Sequence, residues 1–276
     1  LAISYKIVNP HLNFGNLFVM GLSNSVKTYV ALAITTLFPL KNWYIVAYAV
    51  SGVMSYLYKP QKNKYTNTWA INHAYRLNGL LAVMTRKGRS FPMPVHGRGE
   101  ELFFKQRPNG LVLCSTHIPL SKVALRYLME CGFKPTVAIV GDPSVQDSIA
   151  VWGSLEKIPA IHTGSFVLQK AKRILQQGGS VVALVDHHLG DPYSPNIFRL
   201  AEKLNSDIVF FDAALQKDGT VDVRFRESEW NGSSCANRVH QQMNELYQHT
   251  ANLLQHYGNS SYFKPPVEVS ELSLVN

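Results

Sequence analysis

The first 99 residues contain no aspartate and no glutamate, yet they hold eleven of the chain's 27 lysines and arginines. Residues 100–276 hold the other sixteen against all 18 acidic residues, a balance of −2, so the formal charge of +9 belongs to one end of the chain. A basic module attracts polyanions: nucleic acid, anionic lipid or an acidic carrier protein. Cysteine is nearly as scarce. Cys114, Cys131 and Cys235 are too few for a disulfide framework and stand at no metal-ligand spacing, so they read as reduced packing residues. Also missing are a G-x-S-x-G elbow, a Walker loop, a dinucleotide fingerprint, internal repeats and low-complexity tracts. Their absence speaks against the usual α/β serine hydrolases and against the commonest nucleotide sites.

Apolar residues, in contrast, make up 46% of the chain, ample for a sizeable core. Two apolar runs, 29–40 and 43–58, are separated by Lys41-Asn42. Neither reaches the roughly 18–20 clean apolar residues of a spanning helix, and Pro39 would interrupt one. Tyr29, Trp43, Tyr44, Tyr48, Tyr56 and Tyr58 cluster here, as aromatics do at bilayer interfaces. The pair is expected to form a basic, aromatic helical hairpin lying on an anionic membrane. Two core helices, or a true membrane span, remain as alternatives. The segment lies too far from the N-terminus, and lacks a small-residue cleavage site, for a signal peptide. Leu1 is not an initiator Met, which points to residues upstream.

Residues 59–79 are polar and basic and read as a connector with a short helix; 86–100, rich in Gly, Pro and Arg, reads as an exposed loop or linker. From about residue 109 strands and helices alternate. Strand-like runs lie at 110–116, 136–141, 157–162, 180–186, 207–215 and 220–226, with helix-like segments near 119–131, 145–154, 164–178 and 195–205. Runs without polar alternation belong to strands covered on both faces. The expected fold is therefore α/β, a mostly parallel central sheet with flanking helices, preceded by an apolar, basic helical region. We divide the chain into a helical region at 1–99 and an α/β core at 100–276. Residues 235–258 read as a long amphipathic helix ending at Gly258.

Sites in open α/β sheets form beyond the carboxyl ends of strands. Two strand ends carry polar chemistry: Ser115-Thr116-His117 and Asp186-His187-His188. Period-2 alternation puts Ser115 and His117 on one face of their strand and Cys114 on the other, which argues against a Cys–His nucleophilic pair. The adjacent histidines His187 and His188, with Asp186 and Asp191, lack further ligands at helical spacing, and no metal is expected. Hydrogen-bonded loop residues, or part of a site wall, are the readings kept for them.

The order of these features resembles the lysophospholipid acyltransferase superfamily. His117 follows an apolar strand; Gly178-Gly179, Val181 to Asp186, Leu200-Ala201 and Val209 then follow in the family's order. Within the superfamily, the pattern over about residues 105–260 is most similar to the bacterial lipid A biosynthesis lauroyl/myristoyl acyltransferases. The resemblance implies transfer of an acyl chain from an acyl-carrier-protein or CoA thioester to a hydroxyl or amine, with His117 as general base. It further implies no cofactor beyond that co-substrate, and a place on the cytoplasmic side of a bacterial inner membrane, peripherally associated. The family's H-x4-D/E signature places an orienting acid five residues after the histidine, where this chain has Lys122. Its aromatic, Arg-rich C-terminal signature is also absent.

Asp186 is the best alternative acid, because neighbouring parallel strands end at one edge. Without an acid, a nearby ammonium would keep the histidine neutral but disfavour the imidazolium formed in the transition state. Lys122 and Arg126 stand i, i+4 on one helix face and could cradle an anion; a solvated basic face is the plainer reading. Ser115 and His187 complete the candidate binding wall. The rival function is a catalytically silent acyltransferase-like protein that binds an acyl chain or carrier within a larger assembly. Nucleic acid is not an expected partner, since long apolar runs would be wasted on a phosphate-tracking surface.

Overall fold

The computed structural model describes residues 14–57, 67–84, 91–140, 148–150, 157–162, 164 and 166–258. Among the described residues three helices come first: α1 (Phe14–Leu37), α2 (Trp43–Leu57) and α3 (Trp69–Met84). Pro39 and a 3-10 turn at Leu40–Asn42 separate α1 from α2, as the missing amide of proline favours. Eight strands follow: β1 (Val95–Arg98), β2 (Leu111–Ser115), β3 (Val137–Val140), β4 (Ser148–Ala150), β5 (Lys157–His162), β6 (Ser180–Leu184), β7 (Asp207–Leu215) and β8 (Val221–Glu227). Helices α4 (Ser121–Glu130), α5 (Val167–Gln176) and α6 (Asn196–Leu204) are interleaved with them, and α7 (Arg238–His256) closes the described chain.

The strand order is β1-β8-β7-β2-β6-β3-β5-β4. From β7 to β5 all five strands run parallel. β8 joins β7 antiparallel, β1 runs parallel to β8, and β4 joins β5 antiparallel. Central strand β2 is buried along its whole length, as expected of a strand with both faces covered.

The Gly178-Gly179 pair turns α5 into β6. Gly178, at φ +75°, and Gly179 send their amides back to Leu175 and Ile174 at 2.9 Å each. Together they close the helix in the left-handed glycine cap that satisfies its last carbonyls.

Three expectations need correction. The 86–100 stretch was expected to be a loop, but Val95–Arg98 is an edge strand paired to β8. The sheet therefore begins before residue 100, and the boundary at 99/100 cuts behind its first strand. The expected helix at 145–154 falls largely outside the described residues, and the part that is described, Ser148–Ala150, is a strand. The connector's short helix is the 16-residue α3.

The N-terminal helices share one apolar core with the sheet. Trp43, Tyr44 and Ala47 of α2, and Ile71, Ala74, Leu77 and Leu81 of α3, are all buried. Polar ties lock the same helices to the far end of β7. Tyr44 donates its hydroxyl to the Gly219 carbonyl at 2.6 Å, and Tyr48 donates to Lys217 at 3.0 Å. Thr68 donates to the carbonyl of Tyr257, just past α7, at 2.7 Å. Other apolar side chains of α1 and α2 are exposed among the described residues: Tyr29, Leu37, Ile45 and Tyr56. The aromatic cluster thus divides: Trp43 and Tyr44 are core, Tyr29 and Tyr56 face outward, and Tyr58 lies outside the described residues. Among the described residues, no helix is long and apolar enough to cross a membrane.

Candidate active site at the carboxyl edge of the sheet

Strands β2 and β6 pair in register, Ser115 opposite Leu184. The ladder continues one step, with the Val185 amide donating to the Ser115 carbonyl at 3.0 Å. Two residues beyond the strand ends, the same register brings His117 and Asp186 side by side, since neighbouring strands lie about 4.8 Å apart. Asp186 accepts from the His117 main-chain amide with both oxygens, at 2.8 and 3.1 Å. It also accepts the Nδ1 proton of the imidazole on Oδ1, at 2.9 Å. The Asp186 side chain is wholly buried, whereas that of His117 is 44% exposed. A carboxylate accepting several hydrogen bonds is held strongly, each bond to a charged group contributing about 1.5–3 kcal/mol.

This arrangement fixes the imidazole tautomer. With Nδ1–H committed to Asp186, Nε2 is left as the basic nitrogen, and it makes no hydrogen bond among the described residues. An acid-held histidine with its second nitrogen free is the arrangement of a general base. The loop that carries it is tightly wound. The Ile118 amide donates to the Thr116 carbonyl at 2.7 Å, and Leu120, at φ +66°, caps α4 in a left-handed conformation. For a residue other than glycine that costs about 1–2 kcal/mol. Complete burial of Leu120, Val123 and Ala124 offsets it.

The remaining candidate residues fall in different places. Lys122 lies in the first turn of α4 and is exposed. Desolvation by burial lowers its ammonium below the ordinary lysine range. Arg126 does not share a cradle with it. Its guanidinium is buried and donates from Nε to Glu130 at 2.8 Å and from Nη2 to the Phe91 carbonyl at 3.2 Å. Ser115 is buried and donates to the Phe211 carbonyl at 2.7 Å, which ties β2 to β7 and withdraws the hydroxyl from any ligand. His187 is exposed beside the dyad, its ring 4.3 Å from that of His188. His188 belongs to a turn in which its amide donates to Asp191 at 2.9 Å. Cys114 is buried and burial pushes its thiol well up, so it supplies no nucleophile.

Two tyrosines that the sequence did not single out stand around Asp186. Tyr75, on α3, donates its hydroxyl to the His117 carbonyl at 2.8 Å. Tyr193 is buried and donates to Thr250 of α7 at 3.2 Å. Burial, and then the negative charge of Asp186, raise the Tyr75 phenol. Tyr193 is raised by burial first, against its bond to Thr250 and with Asp186 adding to the rise. The signal for Tyr75 was the apolar stripe Ile71, Ala74, Leu77 and Leu81, whose helical spacing marks a packed helix rather than a connector. Behind the strand ends, Ser115, Thr116, Asp212, His249 and Thr250 line a cavity of about 10 Å³, room for one water molecule. Asp212 is ion-paired there to Arg226 at 2.6 Å.

No family model matches the chain, and a search of curated proteins finds no match either.

Proposed function

We propose that the protein is an acyltransferase that moves an acyl chain from an acyl-carrier-protein or CoA thioester to a hydroxyl or amine acceptor. The single observation that carries this reading is the 2.9 Å contact between His117 Nδ1 and buried Asp186, with Nε2 unengaged. Nε2 takes the acceptor's proton as its oxygen or nitrogen attacks the thioester carbonyl. The tetrahedral intermediate collapses, the carbon–sulfur bond breaks, and the imidazolium returns the proton to the leaving thiolate. No acyl-enzyme is formed. Asp186 keeps the reactive tautomer and stabilises the imidazolium, the role that a spacing of five residues would otherwise have given to position 122. Lys122 would receive a phosphate or carboxylate of donor or acceptor.

The same reading gives the protein a peripheral place on an anionic membrane, on the cytoplasmic side of a bacterial inner membrane. Its support is the exposed apolar side chains Tyr29, Leu37, Ile45 and Tyr56 within a region that has no acidic residue. Co-sedimentation with phosphatidylglycerol vesicles, weakened by salt and absent with phosphatidylcholine vesicles, is the expected result. The chemical claim is tested by incubating the protein with acyl-carrier-protein and acyl-CoA donors and an acceptor panel, following free thiol and acylated product. Turnover that His117→Ala abolishes supports transfer. Tight donor binding without thioester consumption would instead mark a silent binding protein.

A further inference from the structure

We infer that Tyr75 is a positioning residue for His117, so that the N-terminal helices complete the active site rather than merely adjoin it. The inference rests on the assignment of His117 as the base and adds a third anchor to it. Asp186 holds the residue by its amide and its Nδ1, both on one side of the residue. Neither bond restrains the peptide that leads on to Ile118. That peptide is held at both ends: its amide by the Thr116 carbonyl at 2.7 Å, its carbonyl by the Tyr75 hydroxyl at 2.8 Å.

The peptide feeds the strained Leu120 cap, and without the Tyr75 donor it would be held at its Thr116 end alone. A shift of the less restrained carbonyl end would move the His117 Cα, and with it the imidazole, relative to Asp186. Tyr75 can hold such a position because α3 is clamped along Ile71, Ala74, Leu77 and Leu81, all fully buried. Burial beside Asp186 keeps the phenol protonated, and hence a donor, throughout the neutral range.

The test uses the full chain with ¹⁵N-labelled histidine, the His117 ring signals being assigned by their loss in His117→Ala. In the wild type, above the ring's titration, Nδ1 is expected to carry the proton and Nε2 to be bare. Tyr75→Phe keeps the ring and removes only the hydroxyl. It is expected to shift the tautomer ratio towards Nε2–H by about five- to tenfold, the equivalent of one ordinary hydrogen bond, with circular dichroism unchanged. Tyr75→Met, a second variant without the hydroxyl, is expected to shift it the same way. Unchanged tautomers in Tyr75→Phe would overturn the proposal, and so would a shift in Tyr75→Met alone, which would assign the effect to packing. In the transfer assay, the expected result for Tyr75→Phe is a drop in kcat of about tenfold with KM little changed. Absence of turnover in the wild type would sink the acyl-transfer reading, while the ring signals would still decide the role of Tyr75.

Discussion

Both edges of the sheet hold a buried charged side chain, Arg107 at one and Asp186 at the other, and they use it differently. At the amino edge, the largely buried guanidinium of Arg107 bonds Asp207 at 3.0 Å, Glu227 at 3.3 Å and the Leu102 carbonyl. Glu227 is also paired with Lys105, and Thr136 and Ser180 exchange amide-to-hydroxyl bonds at 2.9 Å. Each charge in this cluster is met by an opposite charge within the protein, as a structural network requires. At the carboxyl edge, Asp186 is buried too but spends its oxygens on one residue, whose half-exposed ring makes no other hydrogen bond among the described residues. A charge satisfied on every side holds strands together; a charge satisfied through a histidine that remains open on the far side can move a proton.

The two edges therefore respond to substitution differently, one in turnover and the other in stability. The largest effect falls on His117→Ala, expected to lower transfer by about 10³–10⁴-fold with little change in melting temperature. Asp186→Asn is expected to follow at about 10²–10⁴-fold, since an amide cannot stabilise the imidazolium. At the amino edge, Arg107→Ala leaves Asp207 and Glu227 without their shared cation, though Glu227 keeps Lys105, and is expected to cost about 1–3 kcal/mol in urea unfolding while leaving kcat within about twofold. Loss of activity with unchanged stability in that variant would erase the distinction between the edges.

A smaller effect comes from pH. His73 is buried, and burial lowers its pKa despite the bond between its Nε2 and the Tyr48 carbonyl. As pH falls below the ordinary histidine value of about 6.5, the unfolded chain takes up the proton first, so stability declines towards acid and is unaffected above that value. Melting temperature between about pH 7.5 and 5.5 should therefore fall more steeply in the wild type than in His73→Gln. The smallest effect is expected from Lys122→Ala, exposed in the first turn of α4: stability within about 0.5 kcal/mol, with KM for the donor or acceptor raised severalfold. An unchanged KM for both would return Lys122 to the solvated face.

The inner strands were legible because burial on both faces leaves uninterrupted apolar runs, and β2, β5 and β7 lie within a residue of the spans read from sequence. β1 was not, because Pro92, Pro94, Gly97 and Gly99 give its surroundings the composition of a loop. Its strand character comes from pairing with β8, which no local pattern records. Both strand ends, at His117 and Asp186, could be read along the chain. Asp186 is offered as the acid by the rule that neighbouring parallel strands end at one edge; that β2 and β6 are neighbours, in the register that joins the pair, is a property of two segments some seventy residues apart. Arg126 shows the reverse error. Its spacing from Lys122 suggested a shared face, yet Glu130 stands at the same spacing on its other side, and the guanidinium turns to that carboxylate.

The most direct test of the central claim is the pH dependence of acyl transfer by wild type and Asp186→Asn on one donor and acceptor pair. The account predicts turnover in the wild type that rises with pH as a single group loses its proton, and in Asp186→Asn a plateau lower by about 10²–10⁴-fold with that transition displaced. Equal plateaus and unmoved transitions in the two proteins would contradict it.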